Sequence, residues 1–231
     1  MKKFYTLLVA AFAFAQATQA VEQSGFLELG SASGTNTYTT TDGTIAGLNM
    51  VLDHDLSGGA YSFGYMAKLD SNYVVGGGYH KATVTGETGL TSANGSISGI
   101  PVTSTYNYKT VELSYSGLFG LFGYDVTFAE TWHFIPQVRL GLSNSVVLQD
   151  AFYLRLQAPS IGYDEAATGT SKTTGSTNLF LIMLPLSYSF ENMTIGYQLQ
   201  LGGAGITVED GTDKYVATIA SASHFIFGFK F

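Results

Sequence analysis

Five side chains stand out as isolated charges or imidazoles in segments that otherwise alternate between apolar and small polar residues: Glu28, Lys68, His80, Glu112 and Arg139. Held in a narrow low-dielectric space, such groups must pair. A paired set can serve as static filling, or it can exchange partners and gate a passage. Other constellations offer less. His224 lies beside Ser221 and Ser223, but in a strand Ser223 and His224 point to opposite faces, a poor arrangement for a nucleophile and its base. His133 has Glu130 nearby and no clear serine partner. Asp53-His54-Asp55 has the residue types to hold a divalent cation, although solvated loop charge accounts for it as well. There is no phosphate-binding glycine loop and no cluster at metal-ligand spacing. Cysteine is absent, which excludes disulfides and thiolate sites. The expectation is a chain with no catalytic residue, no cofactor and no metal.

Alternating segments must position these groups. The chain closes on Phe225-Ile226-Phe227-Gly228-Phe229-Lys230-Phe231, in which every second residue is aromatic. In a strand those four phenylalanines share one face. The same reading predicts strands over 25–33, 60–69, 73–84, 105–128, 133–147, 178–190, 193–201 and 214–231. Leu27 and Leu29 oppose Phe26, Glu28 and Gly30. Met193, Ile195, Tyr197, Leu199 and Leu201 oppose Thr194, Gly196, Gln198 and Gln200. The alternation slips near 118–122, which predicts a bulge. Short turns fall at 70–72, near 129–132 and at 191–192. Segments rich in Thr, Gly, Ser and Asp at 34–57, 85–104, 148–177 and 202–213 read as long loops. Eight antiparallel strands result, or ten if Ile45–Leu52 or Phe152–Leu156 enters the wall as part of an extra strand pair.

The N-terminus reads as an export signal. Lys2 and Lys3 precede an apolar run over 4–14 that is too short to span a bilayer, and small residues then lead to cleavage after Ala17 or Ala20. The expected organisation is a signal peptide over 1–20 and one barrel domain over 21–231. Losing 20 of 231 residues leaves 211, and losing both lysines moves the formal charge from −7 to −9. An acidic chain without a basic cluster is a poor nucleic-acid binder. Only 12% of residues are charged, about half the usual roughly 25% of soluble domains. The non-aromatic face of each strand is Gly, Ser, Thr and Gln, far too poor in charge for a soluble exterior. These small side chains suit the tight interior of an eight-stranded barrel, and the apolar face then meets lipid. Closing the wall pairs every backbone group where no water reaches. The fold class expected is an all-β, antiparallel, up-and-down transmembrane β-barrel.

The pattern resembles a known family. The leader, the terminal Phe231 with Phe229 two residues before it, the strand Ile135-Pro136-Gln137-Val138-Arg139-Leu140-Gly141 and the segment Leu184-Pro185-Leu186-Ser187-Tyr188-Ser189-Phe190 are similar to those of small outer-membrane β-barrels of the OmpA/OmpX-like type. The resemblance covers the whole mature chain as a pattern, without a diagnostic motif. It implies a bacterial outer-membrane location and a final strand read by the barrel-assembly machinery, with Phe229 and Phe231 as the signal. The glycine usual some five residues before the end is Ile226 here, with Gly228 nearby. The functional expectation is a non-enzymatic barrel with a structural or surface-interaction role through long extracellular loops. Its partners would be outer-membrane lipid, lipopolysaccharide and an extracellular ligand or host surface. A narrow gated pore is the alternative, since ionic gates of this composition occur in OmpA-like barrels. A lipid-modifying enzyme is the third reading.

Overall fold

The first and last strands of the chain lie side by side, and that pairing closes the wall. The computed structural model describes residues 22–41, 49–87, 91–210 and 213–231. The leader, both cleavage positions and Ile45 lie outside the described residues. Twelve segments are present: β1 (Glu22–Thr41), β2 (Asn49–Lys68), β3 (Tyr73–Gly86), β4 (Thr91–Ile97), β5 (Ile100–Tyr124), β6 (Val126–Phe128), β7 (Trp132–Phe134), β8 (Gln137–Ala158), β9 (Tyr163–Ser176), β10 (Phe180–Phe190), β11 (Met193–Asp210) and β12 (Asp213–Lys230).

Twelve segments make eight staves. β3 and β4 pair with β5 in one unbroken register, through Gly86↔Val111 and Thr91↔Tyr106. β9 and β10 run successively down the same side of β8. β6 and β7 carry the strands of β5 and β8 into a short hairpin at one rim, where β7 also pairs with β10. Every pairing is antiparallel, and the circuit β1–β2–β3–β5–β8–β10–β11–β12–β1 returns to its start. A closed ring leaves no sheet edge in its lower half.

The four segments expected to be loops are mostly strand. β1 and β2 run on to Thr41 and from Asn49, β8 and β9 fill most of 148–177, and β11 and β12 run on to Asp210 and from Asp213. Their polarity reads as loop because the strands stand in water here. Thr35 is exposed and Asn36 and Tyr38 are buried, so the alternation persists with its polar side outward. Threonine and tyrosine also favour strands. Phe152–Leu156 lies inside β8, so no additional stave forms.

The wall therefore turns inside out along its length. In the half that carries Glu22 and Phe231, Leu29, Phe63, Phe122, Leu140, Phe180, Leu199 and Phe225 are exposed on the outside. In the other half Val84, Val111, Leu113, Val146, Leu148 and Ile219 fill the inside, and the same cluster reaches down to Leu181 and Met183 beside Arg139 and Gln137. The expected bulge sits opposite its predicted place. β5 alternates without a break over 111–124, and the register skips there because Leu118 pairs with Ser143 while Phe119 pairs with Gly141. Leu142 of β8 is the extra residue. Below it Gln137 and Arg139 face inward; above it Asn144, Val146 and Leu148 do. Gly141 lies in this kink with no room for a side chain, since a Cβ would come within 1.8 Å of the Asn144 amide.

Candidate functional site: the lumen and its mouth

Two of the five predicted site residues meet across the lumen. Arg139 of β8 donates to both oxygens of Glu28 of β1, at 2.7 Å through Nη1 and 2.5 Å through Nη2. Both side chains are fully buried. The guanidinium lies between two rings, 5.3 Å from the centroid of Phe26 and 4.7 Å from that of Phe119. Its Nε donates to Gln137 at 3.2 Å. Fork-to-fork pairing and ring stacking offset part of the desolvation of two buried ions.

The other three are distributed differently. His80 is inside, hydrogen-bonded through Nδ1 to Ser62 at 2.7 Å. Its ring lies 5.5 Å from Tyr115 and 6.1 Å from His224. Lys68 reaches the inside only at the rim that carries Glu22 and Phe231, where it donates to Asp125 at 2.8 Å. Glu112 corrects the sequence reading. It is exposed on the outer surface, level with Thr85 and Gln149, while Val111 and Leu113 beside it point inward. The lumen-facing assignment fails because the wall has already inverted at this height.

Sequence reasoning missed the groups that complete the site. Asp125 is buried at the rim and gathers Lys68, Thr127 at 3.2 Å and both of its oxygens 3.1 Å from His133 Nδ1. Its signal was an acidic residue interrupting an aromatic strand, Tyr124-Asp125-Val126. Burial would raise the Asp125 carboxyl, but hydrogen bonds from His133 and Lys68 and their charges pull it down to about 2. His133 is therefore partnered by Asp125, not Glu130. Lys230 pairs with Glu22 at 2.9 Å beside it. An open cleft between these pairs runs inward past Phe26, Met66 and Ile226 and ends at Glu28.

His224 points into the lumen and Ser223 outward, where it bonds Ser31 at 3.1 Å. No serine–histidine pair forms there, as the alternation predicts. Thr37 donates to Asp53 at 2.7 Å, and no three His, Asp or Glu residues gather at metal distances among the described residues. Phe229 and Phe231 are exposed at the outer edge of the rim. The Phe231 ring lies over Gly25, and its amide bonds Gln23 at 3.0 Å.

The exterior decides the setting. Aromatic and aliphatic side chains cover the lower wall on all sides, while the charges there are buried in pairs inside. Such a surface is stable only in lipid. The protein is a transmembrane β-barrel of the outer-membrane type. Its terminal rim and its tall hairpins stand on opposite sides of the membrane.

No protein-family model matches the chain, and no curated protein matches it in sequence. Solved structures with a similar course include Ail, the attachment invasion locus protein of Yersinia pestis, 10% identical over 89% of this chain and 99% of that one, with a TM-score of 0.29. The outer membrane protease OmpT of Escherichia coli is 7% identical over 92% and 97%, with a TM-score of 0.43. The outer membrane protein OprG of Pseudomonas aeruginosa is 10% identical over 90% and 97%, with a TM-score of 0.35.

Proposed function

We propose that the protein is a non-enzymatic barrel of the bacterial outer membrane, exported by the signal peptide over 1–20, whose role is structural or is exercised by its extracellular hairpins. The observation that carries this reading is the filling of the lumen. The Arg139–Glu28 pair crosses it at one level, and an apolar cluster that begins beside it at Leu181 and Met183 continues above it through Leu113, Val146 and Leu148. Water and ions have no favourable path through packed Leu, Val and Met side chains. The extracellular hairpins instead present exposed Thr, Ser and acidic side chains, including Asp53, Asp55, Asp164 and Glu165. An adaptable hydrophilic surface on a rigid frame suits contact with neighbouring surfaces. Its acidic character favours cationic partners, or lipopolysaccharide bridged by divalent ions. Phe229 and Phe231 serve as the assembly signal in this reading.

Planar-bilayer recordings test the reading against a pore. Wild type and Arg139→Ala should both be silent, and regular conductance steps from wild type would replace this reading with the pore. A lipid A mass spectrum that changes with expression would replace it with an enzyme. Shortening the β8–β9 hairpin should leave the barrel folded and alter adhesion or detergent resistance of cells. If neither property changes, the hairpins have no such role.

A further inference from the structure

The wall is closed only part of the way up. The ladder between β10 and β11 ends at Phe180↔Gly203. Above it β9 pairs only with β8, and the rest of β11 pairs only with β12. A seam therefore runs between β9 and the upper part of β11. Each side of it presents a row of backbone N–H and C=O groups with no partner strand among the described residues.

Natural sheets guard such edges with charges, with proline, or with bulges that turn the strand away. This seam is unguarded where it begins. Neither 173–179 nor 202–207 contains a charged residue or a proline. The two sides also lie close together. A Cβ on Gly175 would come within 2.7 Å of Ile206 Cδ1, so the glycine makes room for that side chain. Leu179 on one side and Ala204 and Ile206 on the other belong to the same apolar cluster.

The register is ready to continue. Carrying the β10–β11 pairing upward sets Leu179 opposite Ala204, Asn178 opposite Gly205, Thr177 opposite Ile206 and Ser176 opposite Thr207. Opposite residues of an antiparallel pair share a face. Leu179, Ala204 and Ile206 are buried and Thr177 is half-buried, whereas Ser176, Asn178, Gly205 and Thr207 are exposed. Each inward residue meets an inward one and each outward residue an outward one. A slip of one residue breaks every match. Places for a hinge lie at the base of the seam. Gly202 of β11 stands at φ +87°, residues 177–179 link β9 to β10 outside either strand, and Leu142 is the extra residue of the adjoining β8.

We propose that β9 is a strap poised to close on β11. The seam stands open in this structure. In the second state the ladder runs on from Phe180↔Gly203 through Ser176↔Thr207, so that the ring closes above the membrane as well as within it. The open state leaves two strand edges to solvent. The closed state hides both and seals the wall beside the apolar cluster. This device belongs to the frame of the barrel and does not depend on what its hairpins bind.

Cysteine pairs test the strap, because the chain has no cysteine of its own. A disulfide needs Cα atoms about 4.4–6.8 Å apart, a spacing that opposite residues of an antiparallel pair provide. In the full barrel in nanodiscs under mild oxidant, Ser176→Cys/Thr207→Cys should cross-link within the chain several-fold faster than Ser176→Cys/Gly205→Cys. The second pair lies on the same outward face but out of register. A cross-link no faster in the first pair, or none in either, would overturn the proposal. So would rapid disulfide dimers of Ser176→Cys alone, which would give the β9 edge to a second copy of the chain. Should these variants fail to fold, amide hydrogen exchange of the wild type decides. Successive amides of 204–207 point alternately to β12 and to the seam. The seam-facing ones should exchange several-fold more slowly than unstructured peptide, and exchange at the unstructured rate would mean that the strap does not close.

Discussion

Arg139 grips Glu28 from 111 residues away, through two hydrogen bonds of 2.7 and 2.5 Å between side chains that solvent does not touch. The bond ties β8 to β1 across the lumen rather than along the wall. It gives the barrel an internal strut at the level where periplasmic water ends.

Removing one end of that strut should cost far more than removing both. Arg139→Met leaves an unpaired carboxylate among Phe26, Phe119 and Gln198, and the expected loss is about 3–5 kcal/mol. Glu28→Gln combined with Arg139→Met should recover most of it, because two neutral side chains of similar size need no counter-ion. Urea unfolding of the lipid-reconstituted barrel measures all three. A double variant no more stable than Arg139→Met alone would show that packing, not the stranded charge, causes the loss.

The inversion of the wall predicts opposite tolerances at neighbouring positions. Glu112→Ala changes an exposed side chain and should alter stability by less than about 0.5 kcal/mol. Leu113→Asp places an unpaired carboxylate in the apolar cluster and should destabilise the extracellular half strongly. Proteolysis of the hairpins on intact cells compares the two. Sensitivity at Glu112→Ala with resistance at Leu113→Asp would reverse the assigned faces.

Two acidic residues give pH dependences of opposite sign. The Asp125 carboxyl is held at about 2 in the folded barrel, below its ordinary value of roughly 3.9. Its contribution is complete above the ordinary value and is lost as pH falls from about 4 toward 2. Asp125→Asn should remove that part of the acid sensitivity and loosen the periplasmic hairpin at neutral pH. Asp150 is buried among the extracellular strands, and burial raises its carboxyl despite hydrogen bonds from Ser171. Its folded form is favoured while protonated, so stability contributed at low pH declines as pH rises through its raised value. Asp150→Asn should slow amide hydrogen exchange in β8 and β9 at pH 7. Faster exchange there would contradict the assignment.

Much of this was legible in the chain itself. Alternation alone identified all eight staves, the three short turns and the lipid-facing residues of the lower wall, because a side-chain period of two is a local property of strands. It also placed Glu28, His80 and Arg139 inside. Local pattern could not say where the membrane ends, since the same alternation serves a wall in lipid and a wall in water with its faces exchanged. Glu112 was misplaced for that reason, and the Thr-rich strands passed for loops. The partners were equally out of reach. Which carboxylate Arg139 takes, that Asp125 gathers Lys68 and His133, and that Gln198 lies level with His224 follow from the stagger of strands far apart in sequence and from extra residues such as Leu142. Register around a closed ring is a property of all the staves together, and only the folded barrel decides it.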